Sequence, residues 1–186
     1  MDWTQRKIVL ATSFGKRYRG TVDIPYATFR TTDLLNASTV FWKNPNEKLL
    51  NDAILMYDVE LSIDGGESYK KFDNLQVRLA EIVFFYDELD EVGNPADRLR
   101  AIAMREKAHE QGHTIHIISS MAGNAFYVIT GTFYGLFKQK SHHEFIPLSD
   151  ATVVEITRNA DQLIEREINL PHEFLGVSTH HIESLG

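Results

Sequence analysis

Alternating apolar and polar residues, the pattern of strands with one buried face, recur along most of the chain. In the N-terminal part this pattern predicts a hairpin and three further strands, over residues 7–14, 18–24, 49–63, 68–72 and 75–86. The strand that ends at residue 63 stops at Asp64-Gly65-Gly66, a typical hairpin turn. A single helical turn is predicted over residues 29–36, where threonines can serve as N-caps.

The C-terminal part repeats the strand pattern after one helix. Asn94 can cap that helix, Pro95 suits its first position, and Gly112 can end it, so the helix is predicted from residue 94 to about residue 110. Its inner side would carry Ala96, Leu99, Ile102 and Ala103. Strands are predicted over residues 113–119, 125–134 and 151–157, then a short helix over 161–167 capped by Asn159, and a polar tail from Pro171.

Composition narrows the classes of function. Nineteen Lys and Arg against 26 Asp and Glu give a net charge of −7, which disfavours a broad electrostatic grip on nucleic acid or anionic lipid. The chain has no cysteine, which excludes disulfides, thiolate catalysis and cysteine-ligated zinc. There is no apolar stretch of the roughly 18 residues that a membrane helix needs and no secretory h-region at the start, so we expect no membrane partner and a cytoplasmic location. No phosphate loop or nucleophile elbow occurs, and no cofactor is predicted.

A weak internal repeat constrains the architecture. The stretch that begins at Gly20 (Gly-Thr-Val-Asp-Ile) is similar to the one at Gly131 (Gly-Thr-Phe-Tyr-Gly). In the same order, the Leu-x-Asp-Ala step at Asp52 is similar to the step at Asp150. Each copy thus predicts a bent strand, a connection and a strand opened by a turn whose aspartate bonds nearby amides.

These short, bent strands resemble the Sm-like and SH3-like small β-barrels. In that family a glycine lets the strand curl, a position that Gly20 and Gly131 match, and residues 33–36 resemble the Asp and Asn of the first Sm motif. The Arg-Gly-Asn-type turn of the second Sm motif, which helps to form the RNA pocket in that family, has no counterpart at residues 77–83. The resemblance therefore implies the barrel architecture more than the RNA pocket.

A basic and aromatic cluster is the strongest nucleic-acid feature of the sequence. It combines base-stacking rings with phosphate-binding cations, as single-strand binding requires. Its members are Trp3, Lys16, Arg17, Tyr18 and Arg19. The alternative interpretation is a basic hairpin tip on an acidic protein, which the net charge favours.

One string resembles the zincin metalloproteases: His109-Glu110-Gln111-Gly112-His113. Zinc chemistry there needs two imidazoles on one face of a continuous helix and a Glu that takes a proton from the metal-bound water. Gly112 and the strand predicted from His113 interrupt such a helix, so the alternative is an exposed helix end with His109 near the negative end of the dipole.

The sequence predicts a mainly β (α+β) protein with two tandem small bent-strand barrels packed together and one amphipathic helix between them. The boundaries are residues 1–92, 93–112 and 113–186. The leading functional hypothesis is a non-catalytic binding or assembly module with a protein partner or self-association as a homo-oligomer. The alternatives are an Sm-like RNA-binding protein and a metal-dependent hydrolase that uses His109, Glu110 and His113.

Overall fold

A computed structural model describes most of the chain. The described residues are 3–37, 52–63, 66–89, 95–96, 98–99, 102–103, 112–120, 125–134 and 144–186. Most of the zincin-like string, with His109, lies outside them.

Eleven strands and the short helix α1 have both of their ends within the described residues. In chain order they are β1 (Thr4–Thr12), β2 (Lys16–Ile24), α1 (Thr31–Asn36), β3 (Ala53–Ile63), β4 (Ser68–Arg78), β5 (Ile82–Asp87), β6 (His113–Ser119), β7 (Ala125–Phe133), β8 (Phe145–Asn159), β9 (Gln162–Ile168), β10 (Leu175–Ser178) and β11 (Ile182–Leu185). Single 3₁₀ turns, Leu79–Glu81 and Thr179–His181, precede β5 and β11. The predicted mainly β class is confirmed.

All the strands belong to one open antiparallel sheet. Its order is β11-β6-β7-β8-β10-β5-β1-β2-β3-β4, and β9 pairs with β8 off this path. We call β1–β5 with α1 the first half and β6–β11 the second half. Pairing between β5 and β10 joins them.

The two halves have the same pairing order. In the first half the last strand pairs with the first, and the order is β5-β1-β2-β3-β4. In the second half it is β11-β6-β7-β8, with β9 and β10 both on β8. The strand β4 of the first half thus corresponds to two shorter strands of the second half, β9 and β10. The six residues between Ile168 and Leu175 separate these two strands.

Gly20 and Gly131 occupy matched places in these halves. The register shifts at each glycine, between Arg19 and Thr21 and between Thr130 and Thr132. A Cβ at Gly20 would lie 2.7 Å from a backbone oxygen of β3, and one at Gly131 would lie 3.0 Å from a side chain of β8. Both positions therefore need glycine because two strands approach closely there.

The register also corrects the predicted repeat. Thr21 pairs with Tyr57 and Thr132 pairs with Ser149, so the residue that matches Asp150 is Asp58 rather than Asp52. Asp58 and Asp150 have φ of 49° and 52°, the left-handed conformation that a bulge residue adopts and that aspartate tolerates. Asp52, which precedes β3, has a φ of 58° as well, so the register alone distinguishes the two aspartates.

Two hydrophobic cores lie in the sheet, and each takes side chains from both halves. The first contains Ile8, Leu10 and Met56 of the first half, and Phe145 of the second half joins them. The second is built mainly from the second half and receives Ala11, Val83 and Phe84. The halves are therefore packed together through shared cores.

Two C-terminal predictions were wrong. The segment predicted as a helix over residues 161–167 forms the strand β9 (Gln162–Ile168) instead, because the chain turns at Ala160 (φ 52°) and pairs with β8 from Asn159↔Gln162 to Val153↔Ile168. The segment after Pro171 is no polar tail: its Leu175 and Val177 are buried in the second core. Tertiary pairing outweighs local propensity in both segments.

Boundaries in the first half also differ from the prediction. The return strand continues past residue 72 to Arg78, and the predicted strand 75–86 is divided by the 3₁₀ turn Leu79–Glu81. The helical turn α1 is confirmed.

The described residues of the predicted central helix, 95–96, 98–99 and 102–103, have helical backbone. The predicted inner side was wrong, since Leu99 is 67% exposed and Ile102 is 39% exposed. In the described part of the chain, no helix has both the length and the apolar character needed to cross a membrane.

Candidate functional site

The strands β5 and β10 pair with each other and so join the sheets of the two halves. Gly176 pairs with Phe85 and Val177 pairs with Phe84. A Cβ on Gly176 would lie 2.2 Å from two ring carbons of Phe85, so glycine leaves the space that the ring occupies. Through this pairing the strands of the first half and those of the second half form one continuous sheet.

Adjacent side chains of β5 enter opposite cores, as successive residues of a strand do. Phe84 packs edge-on against Tyr127 with ring centroids 5.0 Å apart, and Phe85 packs against Phe145 at 5.5 Å. Edge-to-face pairs of this kind add to the stabilisation from burial. Both aromatic pairs cross from one half to the other.

A buried carboxylate also ties the halves. Glu155 of β8, with its side chain 1% exposed, accepts hydrogen bonds from Arg17 of β2 at 3.2 Å and from Arg166 of β9. The Tyr127 hydroxyl donates to its other oxygen at 3.4 Å. A buried charge is tolerated because it is paired and hydrogen-bonded. Arg17 therefore serves as a cross-half contact.

Backbone groups at the joint are satisfied by side chains of the other half. The Asn36 amide donates to the Phe145 carbonyl and accepts from the Phe145 N–H, both at 2.8 Å. His172 accepts from the Phe174 N–H through Nδ1, so its Nε2–H donates to the Asp87 carbonyl at 2.8 Å. His172 is buried, with 8% of its surface exposed.

A second buried ion pair lies beside His172. Arg6 contacts Asp87 at 3.2 Å, and it also donates to the carbonyls of Phe29 and Ala27 and to the Thr31 hydroxyl. These bonds fasten the chain before α1 to β1 and β5. This ion pair has a structural role, because all of the groups that Arg6 contacts belong to the segments that hold the joint.

The cavity at the joint has a volume of about 20 Å³ and is lined by Thr31, Asp87, His172, Phe174 and Gly176 among others. That volume admits one water molecule, whereas small-molecule sites are an order of magnitude larger. We assign it no substrate.

The members of the basic cluster lie on two faces of the sheet. Along β2, Arg17 and Arg19 alternate with Lys16 and Tyr18, which puts the two pairs on opposite sides. Trp3 is half-buried. Thr4 pairs with Ile24 whereas Ala11 pairs with Arg17, so Trp3 lies at the end of the hairpin away from Lys16–Arg19, and the five residues do not share one surface.

Carboxylates engage both arginines of the cluster. Arg19 contacts Glu88 at 2.7 Å and Glu60 at 4.0 Å, and the Glu88 hydrogen bond raises the pKa of Arg19. Lys71 in turn contacts Glu60 at 2.5 Å and lowers the pKa of that carboxyl. On the other face, Lys16 lies over the ring of Phe14 at 5.5 Å, and burial raises the pKa of Tyr18. Nucleic-acid contact by this cluster stays a prediction.

His113 opens β6 and is exposed. In the described part of the chain, no three His, Asp or Glu side chains gather into a metal-binding group. His181 donates through Nε2 to the Ala80 carbonyl at 2.6 Å, so the two 3₁₀ turns touch across the joint. The zincin-like pair His109 and His113 stays a prediction, since His109 lies outside the described residues.

Sequence reasoning missed the joint residues. Glu155, His172 and Gly176 lie in segments that were predicted as an ordinary strand or a tail. A glycine between the apolar residues Leu175 and Val177 was the one available signal, because glycine inside a strand marks a close approach. No family model, curated protein or solved structure matches this chain.

Proposed function

We propose that this chain is a non-catalytic assembly module made of two tandem small β units that associate through strand edges. The pairing between β5 and β10 carries the proposal, because one half there adds its strand to the sheet edge of the other. Strand addition of this kind supplies backbone hydrogen bonds for affinity and side-chain pockets for specificity.

The matched construction of the halves supports two tandem units. They share the pairing order, the glycine at a register shift, and a 3₁₀ turn before the last strand. An Sm-like or SH3-like barrel origin for each unit is part of the proposal, on the residues that carry that resemblance.

The buried polar groups at the joint support an assembly role. Glu155, Asn36 and His172 each bond to groups of the other half. Such bonds fix the orientation of two packed bodies, because a wrong orientation would leave buried groups without partners.

Native mass spectrometry of the untagged protein at low and moderate salt tests this function. We expect the mass of the polypeptide without a metal ion or RNA, as a single chain or as an assembly of chains. A stoichiometric metal ion would favour the hydrolase instead. RNA that is retained at low salt and lost at moderate salt would favour the Sm-like RNA-binding alternative. Either result would overturn the proposed function.

A further inference from the structure

Two strands at the ends of the sheet correspond to the two strands that form the internal joint. The 3₁₀ turns Leu79–Glu81 and Thr179–His181 lie 100 positions apart. The first turn lies between β4 and β5, and the second lies between β10 and β11. The end of β4 therefore corresponds to β10, and β11 corresponds to β5. The sequence agrees, because Leu75, Val77 and Ile82 match Leu175, Val177 and Ile182.

Local geometry supports this correspondence. Arg78 and Ser178, which precede the turns, have φ, ψ of −67°, 133° and −71°, 130°. The Leu79 N–H donates to the residue before β3 at 2.7 Å, and the Thr179 N–H donates to the residue before β8 at the same distance. The two segments thus leave their sheets in the same way.

The strands β4 and β11 are the two ends of the strand order, so in the part of the chain that the structure describes no strand pairs with their outer edges. A strand edge of this kind is a template for another chain. In the internal joint the matching edges, those of β10 and β5, are already paired with each other. Repetition of that contact would place β11 of one molecule on β4 of the next.

We propose that β11 of one copy of this chain pairs antiparallel with the end of β4 of a second copy, in the register of the internal joint. The proposal rests on the proposed function and names its partner. The internal pairs Gly176↔Phe85 and Val177↔Phe84 become Gln76↔Leu185 and Val77↔Ser184 between copies.

Charge complementarity selects this register. In this register the residue pair that follows Val77↔Ser184 is Arg78↔Glu183, so the two charged residues lie directly opposite each other. Both residues are exposed in the single chain. Opposite charges at facing positions of an antiparallel pair stabilise it, whereas like charges destabilise it. A shift by one residue would set Glu183 against the apolar Val77. The contact is heterologous, so it closes into a ring or continues as a filament.

The interface is smaller than the internal joint, because β11 has four residues and offers Ser184 and Leu185 where β5 offers two phenylalanines. We therefore expect weak association that depends on protein concentration. Sedimentation velocity of the full chain over a concentration series should show species larger than the monomer at the upper end.

Charge reversal tests the register. Arg78→Glu or Glu183→Arg should weaken association about fivefold or more, and the double reversal should restore it, because the facing charges are again opposite. Lys70→Glu and Glu67→Arg are matched controls: they make the same charge changes on exposed residues of β4 and the turn before it, beyond the reach of β11. Thermal melting of each variant confirms that it folds.

Cross-linking gives a second readout. The chain has no cysteine, so mixing the Arg78→Cys and Glu183→Cys variants should yield a disulfide-linked pair of chains, and neither variant alone should do so to the same extent. A strict monomer at every concentration, or association that both reversals leave unchanged, would overturn this inference. Those outcomes concern only the contact between copies. The proposed function, in which the two halves of one chain associate, is overturned instead by bound metal or RNA.

Discussion

Gly176 of β10 lies against the ring of Phe85 of β5, and an added Cβ would come within 2.2 Å of two ring carbons. The contact joins residues 91 positions apart in sequence and holds the two halves at the middle of the sheet. Phe85 is 3% exposed and also packs on Phe145, so its ring has little room to move away.

Gly176→Ala should therefore destabilise the fold by about 2 kcal/mol, the usual cost of overpacking. Urea unfolding of the variant and the wild type measures this difference in the free energy of unfolding. Gly186→Ala is the control, because no atom lies within 4 Å of a Cβ at that position. Phe85→Leu should recover part of the loss in the Gly176→Ala background. Equal stability of the two glycine variants would refute the close contact.

Glu155→Gln should destabilise the protein by about 3 kcal/mol, since it leaves the largely buried Arg17 without its full counter-charge. Thermal or urea unfolding measures the change. Glu60→Gln is the matched control: it removes a carboxylate that pairs with exposed Lys71 and Arg19, and we expect little change. A Glu155→Gln variant as stable as the control would show that this carboxylate does not hold the halves together.

His172→Ala should cost about 1–3 kcal/mol, because the buried Phe174 N–H and Asp87 carbonyl lose the ring nitrogens that they bond. The exposed His116→Ala serves as the control in the same unfolding experiment. The proposed role of His172 predicts that the two variants differ. Matching midpoints would contradict it.

Burial raises the pKa of Tyr86 above its ordinary value of 10.0. Above that pH the unfolded chain loses the phenolic proton first, so the free energy of unfolding falls as pH rises toward the folded-state pKa. Tyr86→Phe should remove this contribution and reduce the loss of stability in melts between pH 8 and 11. Tyr69→Phe, at a residue 74% exposed, should not. An identical alkaline decline in wild type and Tyr86→Phe would contradict the assignment.

Periodicity predicted most of the strands of the fold. Strands such as β6 and β7 have a buried residue at every second position, and their alternation is visible in the sequence. The strand β9 escaped prediction because it is mostly exposed, with Leu163 65% exposed and Ile164 49% exposed, so its apolar residues mark no core face. Its pairing with β8 alone makes it a strand.

The joint could not be predicted because its contacts are long-range. Arg17 and Glu155 are 138 positions apart, and Asn36 and Phe145 are 109 apart. The sequence showed Arg17 as one member of a basic cluster, and only the packing of the halves reveals its carboxylate partner. Local pattern records which residues are buried in a strand but not which distant strand covers them.

Hydrogen exchange at several protein concentrations tests association through strand edges most directly. We expect the amides of β5 and β10 to exchange slowly at every concentration, because their pairing is internal. The amides of β4 and β11 should exchange faster in dilute protein and become protected as concentration rises. Fast exchange in β10 at all concentrations would contradict the internal joint, and exchange in β4 and β11 that ignores concentration would contradict their association between copies.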